Sequence, residues 1–248
     1  MRSINYRFWT QEEIEFLISN YSNVNIPIST FEEKLNRTRN LIFNKARLLG
    51  LDRMVRVIFN EHYFDILDSW EKCYFIGLLW ADGYNQIDKG AVRINLQEND
   101  AFVLEQFQKQ TEHNGKLYHH KSKFSKGYTK PSKPQKELRF SSKHMSKTLE
   151  LYGMQQNKTQ TLMFPNIIPE QFMSAFCLGY FDGDGCICNS GNRNSFSIVG
   201  TFDIIKNYQQ TLIKNLSISP TKILSGKSIY HFRVSKKEDV LKIKHWLY

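Results

Sequence analysis

Cysteine, acidic charge and long apolar runs are all in short supply in this chain, and each shortage removes a class of protein from consideration. The four cysteines, Cys73, Cys177, Cys186 and Cys188, give no disulfide framework, and the last two form only a lone C-x-C, too little for a zinc site. The fold must therefore rest on its core, for which a 41% hydrophobic content in 248 residues is enough. The longest apolar run, Cys73 to Ala81, is far shorter than a membrane span, and the N-terminal stretch does not resemble a signal peptide. An intracellular, cytoplasmic protein with no membrane partner is expected, and the richness in Lys, Asn and Ile points to an AT-rich genome, a phage or a bacterial host, with an organelle left open. Acids are outnumbered 24 to 34 by Lys and Arg, so the net charge of +10 favours a polyanionic partner.

What is present in quantity is a repeat. Residues 75 to 83, FIGLLWADG, are echoed 102 positions later by residues 177 to 185, CLGYFDGDG. Gly77 and Ala81, like Gly179 and Gly183, lie four residues apart, which stacks small residues on one face of a helix and lets two such helices approach backbone to backbone. If they pack side by side in the same direction, Asp82 and Asp184 finish next to each other, each followed by a glycine, Gly83 or Gly185, suited to a left-handed cap. Helix C-termini favour cations. Two carboxylates forced together there are stabilised by a hard divalent cation, so Asp82, Asp184, Gly83 and Gly185 are the candidate metal-site residues and Mg²⁺ or Mn²⁺ the expected cofactor.

These two segments resemble the twin signatures of a single-chain LAGLIDADG homing endonuclease, over roughly residues 60 to 248. The resemblance implies that Gly77 and Gly179 are the packing glycines and Asp82 and Asp184 the metal-binding acids of a phosphodiester hydrolase acting on a long, partly degenerate, asymmetric duplex site. It also implies short 3′ overhangs in the products. Lys158 stands where such proteins carry a basic residue that assists charge neutralisation. Trp80 replaces an acid that many members carry, whereas Asp182 keeps it. The resemblance further leads us to expect that the chain stops at His245 to Tyr248 about where relatives continue into a strand and a last helix.

Around the motifs, each copy shows the order motif helix, two strands, helix, two strands, helix. Val92, Ile94 and Leu96 alternate with Arg93, Asn95 and Gln97, and Phe196, Ile198 and Gly200 alternate more weakly with polar neighbours. Asn99, Asp100 and Asp203 introduce the helices that follow. The fold class is thus α+β, a pseudo-twofold pair of αββαββα repeats whose antiparallel sheets form a saddle, preceded by a small three-helix domain. Domain limits fall at 1–51, 52–68 for a connector with an apolar docking patch from Val55 to Phe59, 69–165 for repeat one and 166–248 for a C-terminally short repeat two.

The N-terminal fifth reads as a separate helical unit. Thr10 and Glu13 make a capping box before Ile14, Leu17, Ile18 and Tyr21; Phe31 and Leu35 mark a second helix; Thr38 caps a third that ends at Gly50. On that third helix Leu41, Ile42, Ala46 and Leu49 form the buried stripe and leave Arg39, Asn40, Phe43, Asn44 and Arg47 outside. From Asn36 to Arg56 six basic residues face one acid, Asp52, and the segment resembles a Myb/SANT-like helix-turn-helix module, which implies DNA contact through Arg37, Arg39, Asn40, Asn44, Lys45 and Arg47.

A second basic stretch runs from Lys116 to Lys147, with ten Lys or Arg against Glu137 alone, interleaved with Tyr118, Phe124, Tyr128 and Phe140 and broken by Gly127, Pro131 and Pro134. It reads as a long hairpin with a mobile tip, in which Lys116, Lys121, Lys123, Lys126, Lys130, Lys133, Lys136 and Arg139, with Arg93 of the neighbouring strand, follow phosphates. Gln97 and Thr201, late in equivalent strands, are candidates for positioning water or reading bases, and Gln97 joins Asp82, Asp184 and Lys158 in the candidate catalytic set. The reading is a Mg²⁺-dependent site-specific endonuclease that binds double-stranded DNA as a monomer. Its rival is a non-cleaving nucleic-acid-binding protein on the same scaffold, a maturase-like cofactor of intron RNA or a DNA-binding regulator.

Overall fold

The computed structural model describes residues 7–53, 57–124, 129–190, 193–226 and 229–248. They belong to two compact units, Met1–Val57 and Ile58–Tyr248.

In the first unit, α1 (Gln11–Asn20), α2 (Ile28–Leu35) and α3 (Arg39–Leu48) enclose Leu17, Tyr21, Phe31, Leu35, Ile42 and Ala46. Thr10 and Glu13 form the capping box at α1: Glu13 N donates to Thr10 Oγ1 at 3.2 Å, and Thr10 N donates to Glu13 Oε2 at 3.0 Å. Thr38 occupies the N-cap position of α3 but makes no capping bond, and Glu32 Oε1 accepts from Arg39 N instead. The helix ends in a Schellman arrangement. Leu51 N reaches Ala46 O at 2.9 Å and Gly50 N reaches Arg47 O at 3.1 Å, which needs the left-handed φ of +67° that Gly50 adopts. The expected inward stripe is narrower than the sequence suggested. Ile42 and Ala46, four residues apart, take the inward face, and Leu41, about 100° round the helix, is 48% exposed.

The second unit opens with a turn that is docked by Tyr63, Phe64 and Leu67 rather than by the apolar patch expected before it. Phe59 packs partly against the core, whereas Val57 and Ile58 are exposed; Val55 lies outside the described residues. Then come α4 (Trp70–Asp82), β1 (Gly83–Gln86), β2 (Ala91–Gln97), α5 (Ala101–Gln110), β3 (Tyr118–His120), β4 (Gln135–Ser141) and α6 (Lys143–Leu151). The order repeats as α7 (Met173–Asp184), β5 (Gly185–Ser190), β6 (Arg193–Gly200), α8 (Phe202–Leu216), β7 (Leu224–Ser225), β8 (Tyr230–Val234) and α9 (Lys237–Leu247). The two antiparallel sheets have matching orders, β1-β2-β4-β3 and β5-β6-β8-β7, and matching registers, with Gly83 opposite Ile94 and Gly185 opposite Ile198. The closing strand and helix of the second half, which the sequence led us to expect missing, are therefore both present as β8 and α9.

The helices α4 and α7 are the most intimate pair. A Cβ on Gly77 would run into the carbonyl oxygen of Phe176 and stand 2.8 Å from Tyr180 N; a Cβ on Gly179 would run into the carbonyl oxygen of Tyr74 and stand 2.8 Å from Leu78 N. The two contacts are equivalent under the exchange of the helices, and Gly183 meets Ala81 and Asp82 at the C-terminal ends of both, so the helices run parallel with only glycine thickness between them. Their other faces, through Phe75, Ile76, Leu79, Trp80, Phe176, Cys177, Leu178 and Phe181, merge into one core. Each fully buried Leu or Phe contributes roughly 1.5–3 kcal/mol, so the apolar side chains that flank the glycine seam tie both halves into that core.

Candidate metal centre and nucleic-acid interface

Packing α4 against α7 brings Asp82 and Asp184 together at two adjacent helix C-termini. Gly183 is what lets them meet: a Cβ there would collide with that of Ala81 and sit 2.9 Å from Asp82 Oδ2. Burial, and then the charge of Asp184, push the Asp82 carboxyl up to about 6, while Lys158 works against the rise. Burial raises Asp184 as well, with Lys158 and a hydrogen bond from Tyr180 pulling the other way. The charge of Asp184 is felt at Asp82, and Lys158 acts on both, which places the three groups near one another.

Lys158 is the third member. Asn157, left-handed at φ +60°, turns the chain into a short 3-10 segment from Lys158 to Gln160, and the lysine Nζ donates to the carbonyls of Trp80 and, at 2.7 Å, Ala81. These are last-turn carbonyls of α4 that lack helical partners, and the ammonium answers both them and the helix dipole. Burial lowers Lys158 to about 8, with both aspartates working to keep it charged.

The glycines after the acids play a different part from the one expected. Gly83 has φ −78° and Gly185 φ −104°, both extended, so neither is a left-handed cap. Space is the reason: a Cβ would stand 2.5 Å from Leu79 O at Gly83, and 2.5 Å from Phe181 O at Gly185. Both residues begin the strands β1 and β5 directly after the acids.

A cavity of about 600 Å³ opens beside Asp82, lined among others by Asn95, Gln97, Gln135, Asp182 and Tyr248. Gln97 thus shares a cleft with Asp82, opposite Gln135 in the ladder. Thr201 does not play the equivalent part. It caps α8, accepting from Ile204 N at 3.3 Å and donating to Leu162 O at 2.6 Å, so its hydroxyl is engaged; Asp203, in the first turn of that helix as expected, also accepts from Phe164 N at 2.7 Å. Asp182 has a structural partner: Tyr74 Oη of α4 donates to its Oδ2 at 2.8 Å. Trp80, at the matching position of the first copy, is wholly buried and donates to Met163 O at 3.1 Å. The tyrosines that brace this centre, Tyr74 and Tyr180, carried no sequence signal beyond their place in the motif helices.

The polar face of the first sheet carries Arg93 and Arg139 opposite each other, followed by Asn95 and Gln97 toward the cavity. Arg93 stacks over Tyr84 at 5.2 Å and donates to Gln86 at 2.9 Å; Arg139 lies 4.1 Å over Tyr118 and pairs with Glu137. Beyond them the β3–β4 hairpin, extended by the paired backbones of Lys123 and Ser132, exposes Lys121, Lys123, Lys130 and Lys133, and Lys116 is exposed before it. Lys126, Gly127 and Tyr128, at the expected tip, lie outside the described residues. Lys136 departs from expectation. Strand periodicity puts it on the same face as Leu138 and Phe140, where it pairs with Glu98 at 3.6 Å. Among the side chains described there, the outward face of the second sheet offers Arg233 and His231 with Cys186, Cys188 and Ser197.

In the first unit Arg39, Asn40, Asn44 and Arg47 are exposed along α3, and Lys45 is half-buried. Arg37 is a correction. It is buried, pairs with Glu13 at 2.8 Å, donates to Phe8 O at 2.8 Å and stacks over Trp9 at 4.0 Å, so it holds the unit together and is not free to meet phosphate. No helix among the described residues is long and apolar enough to cross a membrane.

No family model matches the sequence, and no curated protein matches it. Solved structures do. The homing endonuclease I-WcaI bound to its DNA recognition sequence is similar over 81% of this chain and 91% of its own, with a TM-score of 0.52 at 14% identity. Full-length DUF199/WhiA from Thermatoga maritima is similar over 76% of this chain, with a TM-score of 0.51 at 12% identity. The chain spans 59% of the length of that protein. The I-LtrWI LAGLIDADG homing endonuclease bound to target DNA also matches, over 71% of this chain and 82% of its own, with a TM-score of 0.46 at 12% identity. Two αββαββα halves, joined through paired glycine-faced helices that end in acid, give this chain the LAGLIDADG fold.

Proposed function

We propose that the chain is a site-specific DNA endonuclease of the homing type, in which Asp82 and Asp184 hold Mg²⁺ or Mn²⁺ over the polar faces of the two sheets. The observation that carries this reading is the meeting of two carboxylates at adjoining helix ends, beside a half-buried lysine and an open cleft. The donor set fits the ion: hard carboxylate oxygens with room for water, in a place where the charge of Asp184 raises Asp82 and a cation would relieve it. When bound, the ion activates water and neutralises the oxygens of the scissile phosphate.

The protein's own groups supply the rest. Gly77 and Gly179 fix the separation of the two acids. Lys158, anchored on the end of α4, keeps a positive charge beside the reacting phosphate. Gln97 and Gln135 offer amides along the cleft to orient water or a base edge. Arg93, Arg139 and the lysines of the β3–β4 hairpin follow the DNA backbone, and α3, with Arg39, Asn40, Asn44 and Arg47 outward, adds a helix of major-groove type.

Among the side chains described on the outward face of the second sheet Arg233 is the one guanidinium, and this favours one alternative, a protein that binds DNA without cutting both strands. One assay divides the readings. Incubated with Mg²⁺ and AT-rich plasmids from its own genomic neighbourhood, an endonuclease yields a discrete linear product; a binding protein yields gel shifts with no cut.

A further inference from the structure

Away from the paired aspartates, three ligand-type side chains converge on the turn that precedes α4. His62 Nδ1 lies 2.7 Å from Asp65 Oδ2, and His144 Nε2, from the first turn of α6, lies 2.6 Å from Asp65 Oδ1. The two imidazole rings are 4.3 Å apart between centroids. One donor atom from each residue lies within 4.8 Å of the others.

We propose that His62, Asp65 and His144 form a binding site for a transition-metal ion of the zinc class, which staples the turn at residues 60–68 to the N-terminal end of α6. Two imidazoles and a carboxylate are borderline donors that suit Zn²⁺ and its neighbours and discriminate against the Mg²⁺ expected at Asp82 and Asp184. Around a tetrahedral ion with bonds of about 2 Å the donors stand about 3.3 Å apart, so the imidazole–carboxylate pairs at 2.7 and 2.6 Å open slightly as the ion enters between them. Water completes the coordination.

The surrounding contacts hold the ligands in place before any ion arrives. Ser142 Oγ, at the N-cap of α6, donates to Glu61 Oε2 at 2.5 Å, immediately before His62. Tyr152 Oη, at the other end of α6, donates to Phe64 O at 2.8 Å, immediately before Asp65, while Phe64 itself is buried. His62 N donates to Asn60 Oδ1 at 3.0 Å, and Thr148 Oγ1, one turn along α6 from His144, lies 3.4 Å from Asp65 Oδ1 as an outer support. Solvent reaches the site directly, with 64%, 36% and 41% of the His62, Asp65 and His144 side chains exposed, so an ion needs no opening of the fold to enter. His144 lies 79 positions from Asp65, and the ion therefore closes a loop of about eighty residues.

The test uses the full, tag-free chain carrying Cys186→Ser and Cys188→Ser, so that thiols do not compete, in millimolar Mg²⁺ to occupy the paired aspartates. Titration with Co²⁺ is expected to give a saturable visible absorption band with one equivalent, bleached by one equivalent of Zn²⁺. His62→Ala and His144→Ala should each weaken binding by more than about 100-fold, beyond the usual loss for an outer-shell change, whereas Asp82→Asn leaves it unchanged. Zn²⁺ should raise the melting temperature of the parent and not of either histidine variant, whose exposed side chains leave the ion-free fold intact. An absent band, or one that persists at full strength in both histidine variants with a native circular dichroism spectrum, overturns the proposal and leaves the cluster an ion-pair network.

Discussion

Replacing Gly77 or Gly179 by alanine sets two effects of opposite sign against each other. In an ordinary helix interior the change stabilises by about 1 kcal/mol, because alanine has the higher helix propensity. Here the new methyl group meets backbone on the facing helix: the carbonyl of Phe176 and Tyr180 N at 2.8 Å for Gly77, the carbonyl of Tyr74 and Leu78 N at 2.8 Å for Gly179. Backbone cannot swing aside, so α4 and α7 must part by about 1 Å, and overpacking of a tight core costs about 1–3 kcal/mol even where side chains absorb it. We expect a net loss of about 2 kcal/mol for each variant, equivalent to about 4–8 °C in melting temperature for a chain of this size. The double variant should lose less than the sum, since the first separation relieves the second clash. The seam should also accept a relocated methyl group: Gly183→Ala alone drives its Cβ into that of Ala81, and Ala81→Gly in the same chain restores the room. Urea unfolding followed by tryptophan fluorescence, with Trp80 wholly buried at the seam, reads each case. Stabilisation by alanine at 77 or 179 would refute the close approach and, with it, the convergence of the two acids.

Four further outcomes follow from the site. Lys158→Met should lower cleavage by about 10²–10³, the usual loss for one preorganised charge-stabilising donor, with DNA shifts intact; single-turnover rates and gel shifts measured together separate the two. The Asp82 carboxyl, raised from 3.8 to about 6 in the folded ion-free protein, binds its proton more tightly when folded, so its contribution to stability is full below about 4 and lost as pH rises through about 6. Asp82→Asn should therefore stabilise the ion-free protein at pH 8, by about 1 kcal/mol after solvent screening at the cleft mouth, and the gain should vanish by pH 4; melting curves in chelator across that range decide it. Removing Lys121, Lys123, Lys130 and Lys133 together should reduce the slope of log affinity against log salt by about 3–4 if each meets a phosphate, and an unchanged slope dismisses the hairpin from the interface. Finally, Arg37→Ala should lower the melting temperature of the first unit, because it removes a buried partner of Glu13 and the bonds to the carbonyls of Arg7 and Phe8 and leaves Glu13 only the exposed Arg7, whereas Arg47→Ala should leave melting unchanged and weaken DNA binding.

The parts of the molecule that sequence revealed are those whose cause is local or repeated. The motif helices declare themselves because FIGLLWADG and CLGYFDGDG place small residues and acid at the same offsets, and β2 because Val92, Ile94 and Leu96 alternate cleanly. The capping box at Thr10 and the stop at Gly50 are likewise written within a few residues. Contacts set by distant partners were not legible. Lys136 is engaged by Glu98, 38 positions before it, Arg37 is withdrawn by an acid 24 positions away, and His144 meets Asp65 across 79 positions. Gly83 and Gly185 were anticipated as glycines for a torsional reason, and a steric one holds instead.

The most direct test of the shared centre is the Mg²⁺-dependent cleavage rate of Asp82→Asn and Asp184→Asn, each measured on a plasmid that the parent linearises. Both variants should still shift the DNA and both should fail to produce linear product, because either carboxylate alone leaves the ion without its second anchor. Linearisation at the parental rate by either variant would contradict the account.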